Sequence, residues 1–270
     1  MKTDLEKIIL NAIQAATRAI VLNEELSEAH AALAFALHGS HSDWAIAEKH
    51  HLRALELNPH NATAHVWYSI QLCTEGRFEE SLKHAYQGIE LDALSPFNQH
   101  HLGWALYFMR RYDESIAQYR RVVAEHPLIS LGHYGLCWGL RNTGQYDAAI
   151  RAAKRAAELS NDSVFNLLLL GQTYAAAGLR TEAENVIAQL ESLAAERFVS
   201  SYHWALICAY LGDQEKTLAK LQQADTAHES WLVWMGVEPM FDSVRHEPVF
   251  NEIFQHTGNP LQRTKRLPLM

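Results

Sequence analysis

A chain of 270 residues, 48% hydrophobic and 20% charged, has the material for one large globular domain or two small ones. Its formal charge of −8 argues against a nucleic-acid partner, because phosphate recognition rests on clustered Lys and Arg and the only basic cluster is Arg263, Lys265 and Arg266. No run approaches the roughly 18 apolar residues of a membrane span, and the acid-bearing N-terminus MKTDLEKIIL lacks a signal-peptide core. Cys73, Cys137 and Cys208 are odd in number and far apart, neither a disulfide framework nor a metal knuckle. The expectation is a cytosolic protein with no membrane contact. Scarce glycine (13) and proline (7) beside abundant Ala and Leu favour helices.

In chain order, residues 5–22 (LEKIILNAIQAATRAIVL) predict a helix that reads as the second half of a hairpin without its first. It is either an N-terminal cap or the end of something longer. A full helical hairpin starts near Ser27, with one extra residue in its turn (HGSHSDW, 38–44). Further hairpins start at 62, 96, 130, 164 and 198, because the chain repeats with a period of 34. Stepping from Gly76 gives Arg110, Gly144, Gly178 and Gly212. Stepping from Tyr68 gives Leu102, Leu136, Leu170 and Trp204; the next column, from Ser69, is Gly103, Cys137, Gly171 and Ala205. Ser81, Ser115, Ala149, Ala183 and Thr217 stay small, as Phe78, Tyr112 and Tyr146 stay aromatic. The small residue after each large one lets two helices approach. The glycine supplies a left-handed turn, and Pro59 and Pro127 stop helices at repeat ends. One hairpin cannot bury its own faces, so neighbours must stack.

These columns resemble the tetratricopeptide repeat: LG at 102–103 and 170–171, GRFEES at 76–81, GQYDAAI at 144–150 and LGDQEKT at 211–217. The resemblance implies an all-α fold, a right-handed superhelical solenoid of about six helix-turn-helix hairpins with a C-terminal helical cap. It would comprise an N-terminal helix at 1–26, the repeat array at 27–226 and a capping segment and tail at 227–270. SWLVWMGVEPMFDSVRHEPVFNEIF (230–254) resembles the tail closing many bacterial arrays of this kind, notably the C-terminal repeat regions of multidomain regulators. None of the effector domains that such arrays follow is present in this sequence, so the resemblance implies an interaction or sensor region.

In this family, positions 2, 5, 9, 12 and 13 of the first helix of each hairpin line the concave face. By that resemblance the groove would be aromatic at its centre: Phe97, His100, Trp104, Tyr107 and Phe108, then Tyr134, Trp138, Arg141 and Asn142, then Tyr202. Rigid aromatics with polar edges suit binding anchors. The family's carboxylate clamp needs a lysine at position 5, where this chain has Val66, His100, Tyr134, Leu168 and Tyr202, so that ligand is rejected. The favoured function is a scaffold holding an apolar or aromatic peptide or protein segment. The alternatives are a small-molecule sensor using the groove as a pocket, an enzyme with its site there, and a structural part of a larger complex using the convex face.

Sixteen histidines invite a metal reading, but the adjacent pairs His50–His51 and His100–His101 diverge on a helix, and His38, His41 and Asp43 make only a partial set. His30, His65 and His133 recur at position 4 of the first helix, better explained as a packing choice. No nucleophile elbow, phosphate loop, HExxH or catalytic carboxylate pair is present. The sequence therefore predicts no enzyme, no cofactor and no metal.

Overall fold

The 34-residue columns become helix pairs. In a computed structural model, which describes residues 4–40, 43–160 and 163–263, a leading helix α1 (Asp4–Leu22) is followed by six hairpins. They are α2 (Ser27–Gly39) with α3 (Trp44–Leu57), α4 (Ala62–Thr74) with α5 (Phe78–Leu91), and α6 (Pro96–Phe108) with α7 (Tyr112–Glu125). Then come α8 (Ser130–Asn142) with α9 (Tyr146–Leu159), α10 (Ser163–Ala176) with α11 (Arg180–Ala194), and α12 (Ser201–Tyr210) with α13 (Gln214–Thr226). Beyond them lie 3-10 turns at Ser230–Trp234, Pro239–Phe241 and Pro260–Arg263, and helix α14 (Pro248–His256). The described residues contain no strand, and none of their helices is long and apolar enough to cross a membrane. His41 and the tail residues Lys265 and Arg266 lie outside the described residues.

The columns acquire physical jobs. Gly76, Gly144, Gly178 and Gly212 turn the chain at φ +72° to +75°, where a β-carbon is strained. The serine column links the two helices of a hairpin: Ser81 Oγ donates to Ser69 O at 2.8 Å and Ser115 Oγ to Gly103 O at 2.8 Å. The position-4 histidines tie each first helix to the loop before it. Their Nε2 atoms face carbonyls six residues back: His30 to Glu24 O at 3.0 Å, His65 to Pro59 O at 3.0 Å, His133 to Pro127 O at 3.2 Å. Gln99 does the same to Ala93 O at 2.8 Å. A carbonyl only accepts, so Nε2 carries the proton and Nδ1 is left as an acceptor. In two hairpins that acceptor meets another imidazole: His30 Nδ1 lies 2.8 Å from His50 Nδ1, and His65 Nδ1 lies 2.9 Å from His84 Nδ1.

The chain divides into two compact units, the first built from the described residues of 1–101, 230–238 and 251–270, the second from 102–229 and 239–250. Within the first, the turn at Ser230–Trp234 packs on α2. Trp44 Nε1 donates to Thr257 O at 2.8 Å, and Asn259 Nδ2 donates to Thr74 O at 2.9 Å. Within the second, the turn at Pro239–Phe241 packs on α12. A cap on the last hairpin therefore accounts for only part of the C-terminal segment; the polar groups of Thr257 and Asn259 place other parts of it against the first two hairpins.

The last hairpin starts late, at Ser201 where the register expects 198. Ser200 caps α12, its Oγ accepting from His203 N at 3.3 Å. Glu229 completes the cap from the far end of α13. Its carboxylate, almost wholly buried, accepts from Ser200 Oγ at 2.6 Å, Ser201 N at 2.7 Å and Tyr202 N at 3.3 Å.

His51 sits in the first unit's core at an energetic cost. It has no exposed surface, and neither ring nitrogen has a hydrogen-bond partner; it stacks on Tyr68 at 5.3 Å. Burial, then the neighbouring His38, His84 and His50, pushes its pKa well down. Unsatisfied buried polar atoms cost about 1–3 kcal/mol, so His51→Leu is expected to raise unfolding stability by about that much at pH 7.5. The pH sign follows. The unfolded imidazole takes up a proton below about pH 6.5 and the folded one does not, so stability is complete above 6.5 and falls as pH drops, by at most ~1.4 kcal/mol per unit for this group. Urea unfolding at pH 7.5, 6 and 5 should show a shallower acid loss in the leucine variant; an equally steep loss with no gain at pH 7.5 would refute the assignment.

Candidate functional site

The helical register decides which side chains reach the inner face of each first helix. Phe97 and His100 fall in the first unit and the other eight expected residues in the second. In the first unit, Phe97 is 38% exposed and packs edge-on against His101, with ring centroids 4.2 Å apart. His100 is buried and meets His101 at 5.3 Å. Burial first, then the charge of His100, holds the His101 pKa well below the usual range.

In the second unit, the expected residues converge on α6, α8 and α12. Trp104 and Trp138, one hairpin apart, are both half-buried, with centroids at 6.0 Å. Tyr107 lies 6.2 Å from Trp138 and edge-on to Phe108 at 5.1 Å. Asn142 knits this cluster together, its Nδ2 donating to Trp138 O at 3.0 Å, Tyr107 Oη at 3.2 Å and Tyr210 Oη at 3.4 Å. Arg141 sits 4.7 Å above the Tyr210 ring and donates through Nη1 to Gln172 Oε1 at 3.1 Å. Gln172 Nε2 in turn donates to His203 O at 3.2 Å.

A second run of rings crosses α8, α10 and α12 and ends at the turn Pro239–Phe241. Tyr134 Oη donates to Asn166 Oδ1 at 2.9 Å, and its ring meets Phe165 edge-on at 5.1 Å. Phe165 meets His203 at 5.3 Å, His203 meets Tyr202 at 5.5 Å, and Tyr202 meets Phe241 at 5.5 Å. Burial, reinforced by the Arg141 charge, lowers the His203 pKa to about 3, so its ring is neutral at pH 7.

The aromatic cluster is thus present, but much of it does not face solvent. His100, Tyr107, Phe108, Tyr134, Arg141 and Tyr202 are buried. In the second unit, Tyr134 is met by Phe165 and Asn166, Arg141 by Tyr210 and Gln172, Tyr107 by Phe108 and Asn142, and the Tyr202 ring by His203 and Phe241. Trp104, Trp138 and Asn142 remain half-buried and Phe97 exposed. Sequence reasoning did not single out His203, Arg110 or Glu229. Only Arg110 left a signal, as the break in the glycine column.

The cluster offers apolar area, ring edges, amides and a guanidinium. The thiols of Cys73, Cys137 and Cys208 are buried, and burial pushes all three pKa values up. Among the described residues, no group of three or more His, Cys, Asp or Glu side chains converges to hold a metal ion.

Residues 101–164 match the tetratricopeptide repeat family model. The same columns recur outside that window, and six helical hairpins carry them in the structure, so the repeat extends beyond the matched residues. Solved structures share the all-α helical-repeat fold. One is described as a functional characterization of Pseudomonas aeruginosa PilF: 18% identity over 72% of this chain and 87% of that one, TM-score 0.55. Another is PilW, described as a widely conserved type IV pilus biogenesis factor: 18% identity, 74% and 92% coverage, TM-score 0.58. A third is the human IFIT1 dimer with PPP-AAAA: 14% identity, 96% and 67% coverage, TM-score 0.63. No curated protein matches at a significant level. These comparisons bear on the repeat fold and not on the regulator-like look of the tail.

Proposed function

We propose that this protein is a binding scaffold whose inner face in the second unit holds a peptide or protein segment, with residues 27–226 as the array and 227–270 as its cap and tail. The observation that carries the reading is the Trp104–Trp138 pair, half-buried with centroids 6.0 Å apart, with the Tyr107 ring 6.2 Å from Trp138 and the Asn142 amide on the Trp138 carbonyl. Two large rings held at fixed spacing lose little rotamer freedom on binding, and tryptophan is enriched among the residues that dominate interfaces. A segment with aromatic or branched apolar side chains would pack on the solvent-facing side of this pair. Recognition of an extended or helical segment by such a face needs no chemistry beyond packing and hydrogen bonding.

The test is a displayed random-peptide library selected on the intact protein. The enriched peptides are expected to carry an aromatic anchor and to bind Trp104→Ala and Trp138→Ala at least ~10-fold more weakly, about 1.4 kcal/mol. Trp138→Phe, which keeps a ring, should retain most of the affinity. If the alanine variants bind as well as the parent, or if they unfold so that the rings prove to be core, the reading fails.

A further inference from the structure

Where four hairpin turns place glycine at the left-handed position, the turn between α6 and α7 places Arg110, at φ +62°. Non-glycine residues adopt that conformation rarely, so the arginine serves something other than the turn. Its side chain reaches 132 residues along the chain, where Nη2 donates to Asp242 Oδ2 at 2.7 Å. The other oxygen of Asp242 accepts from Arg245 Nε at 2.7 Å. Immediately before it, Phe241 is fully buried with its ring against Tyr202 at 5.5 Å. Immediately after, Ser243 O accepts from Gln214 Nε2 at 3.2 Å. Tyr202 belongs to the same inner-face set as the tryptophans. A short stretch of the C-terminal segment therefore sits on the second unit as a bound peptide would, with an aromatic side chain in a ring-lined seat and a carboxylate on a guanidinium.

We propose that residues 239–250 are an intramolecular ligand, latched by Arg110 and Asp242, and that the partner is a protein segment in which an aromatic residue is followed directly by an acidic one. This rests on the reading that the inner face binds segments, and it names both the partner's chemistry and the occupant it displaces. The latch is suited to exchange. The two side chains are 25% and 35% exposed, and ion pairs this open to solvent hold weakly and weaken further with salt. An incoming aromatic–acidic pair makes the same two contacts, so it replaces the resident one without leaving Arg110 unpaired.

The experiment uses the full chain and two variants. Asp242→Asn opens the latch and leaves Arg110 in place. Arg110→Gly opens it and restores the residue that the other turns use, so the hairpin itself is not harmed. Hydrogen exchange of residues 239–250 is expected to speed up at least ~10-fold in both variants, with protection of α8–α11 unchanged. A labelled peptide of residues 237–247 is then the probe. It is expected to bind Asp242→Asn at least ~10-fold more tightly than the parent, and to gain nothing on Arg110→Gly, which lacks the guanidinium. The same peptide with its own Phe or Asp replaced by Ala should lose that gain. Unchanged exchange of 239–250 in both variants, or equal peptide binding by both, overturns the proposal. Exchange reports the latch alone, whereas the tryptophan variants report the binding face, so the two readings fail separately.

Discussion

Replacing Gly135 with alanine is expected to destabilise the protein by about 3 kcal/mol, the upper part of the usual range for overpacking. The ring of Tyr119 from α7 has no exposed surface and lies against two glycines, Gly103 of α6 and Gly135 of α8. A β-carbon on Gly135 would stand 1.9 Å from Tyr119 Cζ, and one on Gly103 would stand 2.7 Å from Cε2 and Cζ of the same ring. The ring cannot retreat from one without striking the neighbourhood of the other. Urea unfolding measures the loss. The double variant Gly135→Ala, Tyr119→Leu should be more stable than the sum of its single changes predicts, because the smaller side chain makes room. A Gly135→Ala protein within 1 kcal/mol of the parent, about the resolution of such a comparison, would show that the ring is not wedged.

Glu229→Ala is expected to cost about 3 kcal/mol. The carboxylate accepts three hydrogen bonds at the N-terminus of α12, two from backbone N–H groups, in a site almost closed to water. Charge-assisted bonds to backbone donors are the stronger class, and an anion there complements the helix dipole. Removing it leaves buried donors unmet. Glu229→Gln keeps the shape and one set of acceptors and should cost about half as much. Amide exchange at Ser201 and Tyr202 is the local readout. It should rise sharply in the alanine variant, and unchanged exchange there would mean that Ser200 caps the helix unaided.

Most of the architecture was legible because each column of the repeat records a local need. A left-handed turn selects glycine at 76, 144, 178 and 212, and close helix approach selects small residues at 69, 103, 137, 171 and 205. What stayed hidden depends on partners that the period does not index. Gly135 shares its register with Trp67, His101, Leu169 and His203, all large, so nothing in that column asks for glycine. Its reason is Tyr119, which stands where neighbouring repeats have Ala85 and Ala153. The burial of many of the expected inner-face residues was not legible. Asn142 closes over Tyr107 from 35 residues away, and Phe241 reaches Tyr202 from a segment that has no repeat register at all. The break at Arg110 was visible; its meaning required Asp242.

The donors that recur at position 4 carry one more consequence. His65, Gln99 and His133 each bind a carbonyl six residues upstream, so the joint between a first helix and the loop before it is closed by one side chain acting on nearby backbone. Histidine and glutamine perform the task alike, because it requires only an N–H at the right reach. Such a joint travels with its own 34 residues and borrows nothing from distant sequence. In the hairpins that carry it, the joint is self-contained, so such a unit can be added to or removed from an array as a whole while its inner face is rewritten residue by residue.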